Sequence, residues 1–128
     1  MTNNKTEANN KPTLVLGASE NPARYSYRAV NQLEYYQYEV YAVGRRPGMI
    51  GNVTIHTGMP LIEGIHTITI YMNNENQKPF YEYIFRLNPK RIIFNPGAEN
   101  DELFRLAKSR GIECVEACTL VMLSIGNF

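Results

Sequence analysis

Tryptophan is absent from the 128 residues, and cysteine and histidine occur only twice each. Cys114 and Cys118 are too few to staple a fold and do not form a CxxC pair, which excludes a disulfide scaffold and a thioredoxin-type motif. With His56 and His66 they form no cluster of metal-ligand spacing, and no Ser-His-Asp order marks a nucleophilic triad. An excess of one charge is missing too: 13 Lys and Arg stand against 12 Asp and Glu, a net charge of +1. No long-range field therefore argues for nucleic acid or an anionic membrane as partner. No apolar run approaches the ~18 residues that a bilayer-spanning helix needs. Residues 1–11 are polar and Asn-rich with no apolar core, so they read as a disordered tail rather than a leader or anchor. One domain over residues 12–128 and a cytoplasmic location are the resulting expectations.

What is present is an alternation of strands and helices. Strands are expected at 11–16, 39–43, 67–71, 91–94 and 112–115, with a short one at 53–55 inside a loop over 44–59. Helices are expected at 24–36, 77–87, 100–110 and 119–125, the first burying Ala29, Val30, Leu33 and Tyr36 on one face. The runs Ile68-Thr69-Ile70-Tyr71 and Ile92-Ile93-Phe94 are mostly apolar rather than alternating, as burial on both faces demands. The pattern predicts a single-domain α/β fold: a three-layer, Rossmann-like, doubly wound and mostly parallel sheet. Ligands in such sheets sit beyond the carboxyl ends of the strands, here Gly17, Val43-Gly44, Tyr71-Met72 and Asn95-Pro96-Gly97.

The first of these ends carries the strongest signal. Thr13-Leu14-Val15-Leu16 stops on Gly17-Ala18-Ser19-Glu20-Asn21-Pro22, and a helical pattern opens near Arg24. Gly17 and Ala18 let the backbone approach a ligand, Ser19 offers a hydroxyl, Asn21-Pro22 turns the chain, and Ser26 falls in the first helical turn. A helix starting there directs unpaired N–H groups and a positive dipole end at a phosphate or pyrophosphate. The loop lacks the full GxGxxG spacing, and an ordinary small strand-to-helix turn is the alternative. After the second strand a classical NAD site carries Asp or Glu for the ribose. This chain has Gly44-Arg45-Arg46, two guanidiniums that suit a ribose phosphate, as in coenzyme A or NADP. Asn95, Pro96 and Gly97 are placed to shape the far wall of the groove, or simply to make a tight turn.

These residues resemble the small single-domain CoA-binding proteins, whose fold is similar to the CoA-binding domain of succinyl-CoA synthetase α subunits. The likeness rests on Leu16 to Arg28 (LGASENPARYSYR), on Tyr38-Glu39-Val40-Tyr41-Ala42-Val43, and on Phe94-Asn95-Pro96-Gly97-Ala98, with Cys118 after the last strand. The resemblance implies CoA lying over Gly17 to Ser26 and the loop after Val43, with Ser19, Asn21 and Ser26 in phosphate-contacting positions. Two departures stand out. Gln37 occupies a position where the family usually has Gly, and Val43-Gly44-Arg45 replaces its usual Val-Asn-Pro. The histidine phosphorylated in succinyl-CoA synthetases belongs to a separate domain, so ligase activity is not expected of this chain by itself.

Other residues read as follows. His66 precedes an apolar strand and is expected to be structural; His56 lies in the loop near the ligand. Cys118 either faces the thiol end of a ligand or is a small buried residue, and Cys114 should turn into the core. Phe80, Tyr81, Tyr83 and Phe85 wrap one helix, as a core helix or as the face of a homodimer. The expectation is a module that binds CoA or an acyl-CoA, regulatory or accessory, with no catalytic residue and no metal. An NADP-dependent reductase fragment needing a partner, or a ligand-free interaction module, is the alternative.

Overall fold

Short β-branched runs build the sheet: Thr13–Leu16 (β1), Val40–Val43 (β2), Gly48–Ile50 (β3), Val53–His56 (β4), Thr67–Ile70 (β5), Arg91–Phe94 (β6) and Glu113–Glu116 (β7). Every position of β1, β5 and β6 is buried, as two-sided coverage requires. The computed structural model describes residues 10–128; residues 1–9 of the expected tail lie outside the described residues. The strands form one seven-stranded sheet in the order β3-β4-β2-β1-β5-β6-β7. All neighbours are parallel except β3 and β4, a tight antiparallel hairpin. The chain winds outward from β1 through β2 to β4, then returns to lay β5 on the other side of β1. The winding direction therefore reverses between β1 and β5.

The helices are Tyr25–Tyr35 (α1), Asn74–Gln77 (α2), Tyr81–Leu87 (α3), Asp101–Ser109 (α4) and Thr119–Ser124 (α5). Alternation along the strands divides the core into two. Leu14, Ile68, Ile92 and Phe94 pack with Ile84 and Leu87 of α3 and Leu103 and Ala107 of α4. On the opposite face Val15, Ala42 and Ile93 pack with Val30 and Leu33 of α1 and Met122 and Leu123 of α5. This is the three-layer, Rossmann-like arrangement that the alternation of elements predicts. No helix among the described residues is long and apolar enough to cross a membrane.

Two elements differ from expectation. The helix expected at 77–87 begins earlier, at a turn capped by Asn73, whose side chain accepts from Asn76 N at 2.9 Å. It then tightens into a 3₁₀ turn over Lys78–Phe80 before α3, because Pro79 has no N–H to continue an α-helical ladder. The second difference is β3, unforeseen within the 44–59 loop. The aromatic residues of α3 go into the core: Tyr83 is buried with its hydroxyl donating to Pro60 O at 2.6 Å, and Phe80, Tyr81 and Phe85 pack half-buried against the same cluster.

Helices α1, α4 and α5 end in the same motif, with a left-handed residue and a bond from the next residue back to the third-last carbonyl. Gly111 and Gly126 hold that position in α4 and α5, but Gln37 holds it in α1 at φ 69°. A side chain with a Cβ is strained there. Gln37→Gly is therefore expected to stabilise the protein by about 0.5–1 kcal/mol, read as a Tm increase of a few degrees by thermal denaturation.

At the amino ends of the strands, Arg91 is 95% buried (5% exposed). Its Nε donates to Thr67 Oγ1 and its Nη1 to Phe128 O, each at 2.9 Å, while the guanidinium lies 4.4 Å over the Phe128 ring. Lys11 Nζ donates to the same carbonyl at 2.8 Å. Residues 126–128 thus tie α5 down at the rim opposite the carboxyl ends of the strands.

Candidate ligand-binding site

The reversal of winding marks the carboxyl ends of β1 and β5 as the place where sheets of this kind take a ligand. Gly17 stands there at φ 97°, packed so closely on β5 that a Cβ would come 2.9 Å from Met72 Cγ and 3.1 Å from the Tyr71 carbonyl carbon. The amides of Gly17 and Ala18 both donate to Val43 O, at 2.8 and 3.0 Å. The Ala18 carbonyl in turn fills the space where a Cβ on Gly44 would stand. Gly17, Ala18 and Gly44 therefore form a junction of bare backbone that joins the ends of β1, β2 and β5.

Between that junction and α1 the loop is partly self-satisfied. Ser19 Oγ accepts from Asn21 N at 3.1 Å and Asn21 Oδ1 from Ala23 N at 3.0 Å, so both side chains shape the turn through Pro22. The amides of Ser19, Glu20, Tyr25 and Ser26 have no protein acceptor among the described residues. Arg24 occupies the N-cap of α1 in extended conformation and makes no side-chain cap. By contrast Asn73 caps α2 and Asn100 caps α4. Free amides and an uncapped dipole favour an anion at this turn. Arg24, Arg45 and Arg46 are exposed around it, and none makes an ion pair among the described residues. Ser26, in the first turn of α1, is buried.

Glu20 was not among the residues singled out from sequence. Its carboxylate reaches across to β3, where Oε2 accepts from Met49 N at 2.8 Å. It occupies the space above Gly48, where a Cβ would overlap it. Nothing local in the sequence signals this, since the pairing depends on a hairpin the pattern does not reveal.

The far wall is built differently. Asn95 is buried and its side chain is fully engaged: Nδ2 donates to Thr69 Oγ1 at 2.7 Å and Ile70 O at 2.9 Å, and Oδ1 accepts from Thr119 N at 2.8 Å. Thr69 and Thr119 share a further bond of 2.8 Å. Asn95 thus fastens β6 to β5 and to the start of α5, while Pro96 and Gly97 (φ 92°) stay exposed at the rim. Gln77, buried beneath, donates to Met72 O and Ala98 O, both at 2.8 Å, and fixes the two loops at the strand ends. Burial pushes the Tyr71 hydroxyl up to about 12, and no hydrogen bond of ordinary geometry reaches it. Glu75, Glu99, Asp101 and Glu102, together with Lys78 and Arg105, line a depression on this side.

The remaining expectations sort by position. His56 ends β4, exposed, with its carbonyl accepting from Gly44 N at 2.9 Å. His66 lies at the opposite rim, its Nδ1 2.7 Å from Thr67 Oγ1, and burial together with Arg91 lowers its pKa. Cys118 is half-buried at the start of α5. Cys114 packs against the core, where burial pushes its thiol up to about 11.

Free amides, close backbone at Gly17 and unpaired guanidiniums fit a ligand that carries phosphate. The comparisons agree. The CoA binding domain family matches residues 11–124. A solved structure of an uncharacterized protein is 48% identical, with a TM-score of 0.90 over 92% of this chain and 98% of the other. A hypothetical protein from Pyrococcus horikoshii OT3 is 17% identical, with a TM-score of 0.82 over 98% of this chain and 92% of the other. A conserved hypothetical protein from Pyrococcus furiosus is 22% identical, with a TM-score of 0.75 over 87% and 97%. No curated protein matches significantly. The last two likenesses speak to the fold; the match over residues 11–124 speaks to kinship, and on it the chain belongs to the CoA binding domain family.

Proposed function

We propose that the protein binds coenzyme A or an acyl-CoA as a regulatory or accessory module, without catalysis of its own. The observation that carries this reading is the set of free amides at Ser19, Glu20, Tyr25 and Ser26, which offers the pyrophosphate four backbone donors at an uncapped helix start. Arg45 and Arg46, exposed on the adjoining loop without ion pairs among the described residues, are assigned to the ribose phosphate. His66, beside Thr67 at the opposite rim, takes no part in this reading.

Calorimetry tests the assignment. CoA is expected to bind ~10–100-fold more tightly than dephospho-CoA, the worth of one charge-assisted contact set, and Arg45→Ala with Arg46→Ala should erase most of that gap. Heat with NADPH alone would replace the reading by a reductase fragment, and heat with none of these ligands by an interaction module. The same reading places the protein in the cytoplasm and as a homodimer. The exposed Tyr25, Tyr35, Val121 and Ile125 on the layer formed by α1 and α5 support the second point. A sedimentation experiment showing only monomer would remove it.

A further inference from the structure

We infer that Glu20 is a positioning residue: it latches the arginine-bearing loop to the phosphate turn and so sets the preference for a ligand that carries a ribose phosphate besides its pyrophosphate. The inference rests on the ligand reading above and adds to it a specific device. Three observations meet at one point. Glu20 Oε2 accepts from Met49 N at 2.8 Å, from a residue 29 positions away. Gly48 leaves room for that carboxylate, since any Cβ there would overlap it. Met49 belongs to β3, which closes the loop carrying Arg45 and Arg46, and Glu20 itself adjoins two of the free amides.

The physics follows from geometry. Residues 44–47 are held at one end by the backbone junction at Gly44. Their other end is β3, an edge strand paired only with β4. The carboxylate adds the only side-chain bond between the 17–24 turn and β3 among the described residues. It fixes the backbone of the loop that carries the two arginines relative to the amides before any ligand arrives, which removes part of the ordering cost of binding. A ligand bridging both groups gains from this, and a ligand touching only the amides does not.

The latch works as a hydrogen-bond acceptor, so Gln can replace Glu but Ala cannot. In Glu20→Ala the affinity for CoA should fall roughly fivefold to tenfold while that for dephospho-CoA holds, which narrows their ratio; Glu20→Gln should stay within about twofold of wild type. Gly48→Ala should imitate Glu20→Ala and add nothing in the Glu20→Ala background. Hydrogen exchange at the Met49 amide, followed by NMR, gives a readout that needs no ligand: it should speed up in Glu20→Ala and not in Glu20→Gln. An unchanged ligand ratio in Glu20→Ala, or a Gln variant that behaves like Ala, overturns the inference. If the wild type binds neither nucleotide, the ligand reading fails alone. The latch is then judged on Met49 exchange, which sustains it if Glu20→Ala accelerates it and refutes it if not.

Discussion

Asn95→Ala is expected to lower stability by about 3–5 kcal/mol and Tm by roughly 10–20 °C. The side chain holds three elements at once, with donors to Thr69 Oγ1 and Ile70 O and an acceptor for Thr119 N. Removal leaves a buried amide and a buried carbonyl without those partners, and each orphaned group costs about 1–3 kcal/mol before any cavity is counted. Asn95→Asp separates hydrogen bonding from volume. The carboxylate still accepts from Thr119 N but cannot donate to Ile70 O or Thr69. Burial raises its pKa in the folded state above the unfolded value, so the folded protein holds the proton more tightly. The stability of this variant should then be greatest at acidic pH and fall as pH rises through the folded pKa. Denaturant titrations of the three proteins at acidic and neutral pH check both points; an alanine variant that loses less than about 1 kcal/mol would reject the role given to Asn95.

The second large effect belongs to Gly44→Ala. The new methyl group would fall on the Ala18 carbonyl, and it would also stand 3.1 Å from Ile55 Cγ2. Backbone lies on both sides of this contact, so no flexible side-chain end can swing away. Overpacking of this kind costs about 1–3 kcal/mol. Relief requires the end of β2 to part from the first loop, which strains the bonds from Gly17 and Ala18 to Val43 O. CoA affinity should fall tenfold or more, on the order expected when a preformed site must be rebuilt on binding. Gly58→Ala is the control: its φ of 75° makes alanine strained, but nothing lies within 4 Å. That variant should lose stability and keep its affinity. Equal affinities for the two alanine variants would dismiss the junction as a determinant of binding.

What the sequence displays and what it conceals divide along a physical line. β1, β5 and β6 are legible because burial on both faces leaves an unbroken apolar run, and the turn after β1 is legible because small residues follow such a run directly. Gly17, Ala18 and Gly44 directly follow the ends of β1 and β2, as the alternation of elements predicts. The strand β3 is invisible because Gly48-Met49-Ile50 is three residues long, follows Pro47 and has no alternation to detect. With it goes Glu20, whose partner is fixed by the hairpin and by nothing near it in the chain. The start of α2 was within reach, since Asn73 is a favoured N-cap residue. Asn95 was noticed for its place at a strand end, but its three partners lie on β5 and α5. Only the pairing of strands brings them together.

The sheet's outer margin at β7 begins and ends on exposed carboxylates, Glu113 and Glu116, with Cys114 and Val115 between them. Were two copies to lay these margins side by side in opposite directions, each Glu113 would stand across from the other copy's Glu116, and both ends of the seam would repel. Joining two molecules through β7 against β7 is thereby disfavoured. The large exposed apolar side chains Tyr25, Tyr35, Val121 and Ile125 lie instead on the helical layer of α1 and α5.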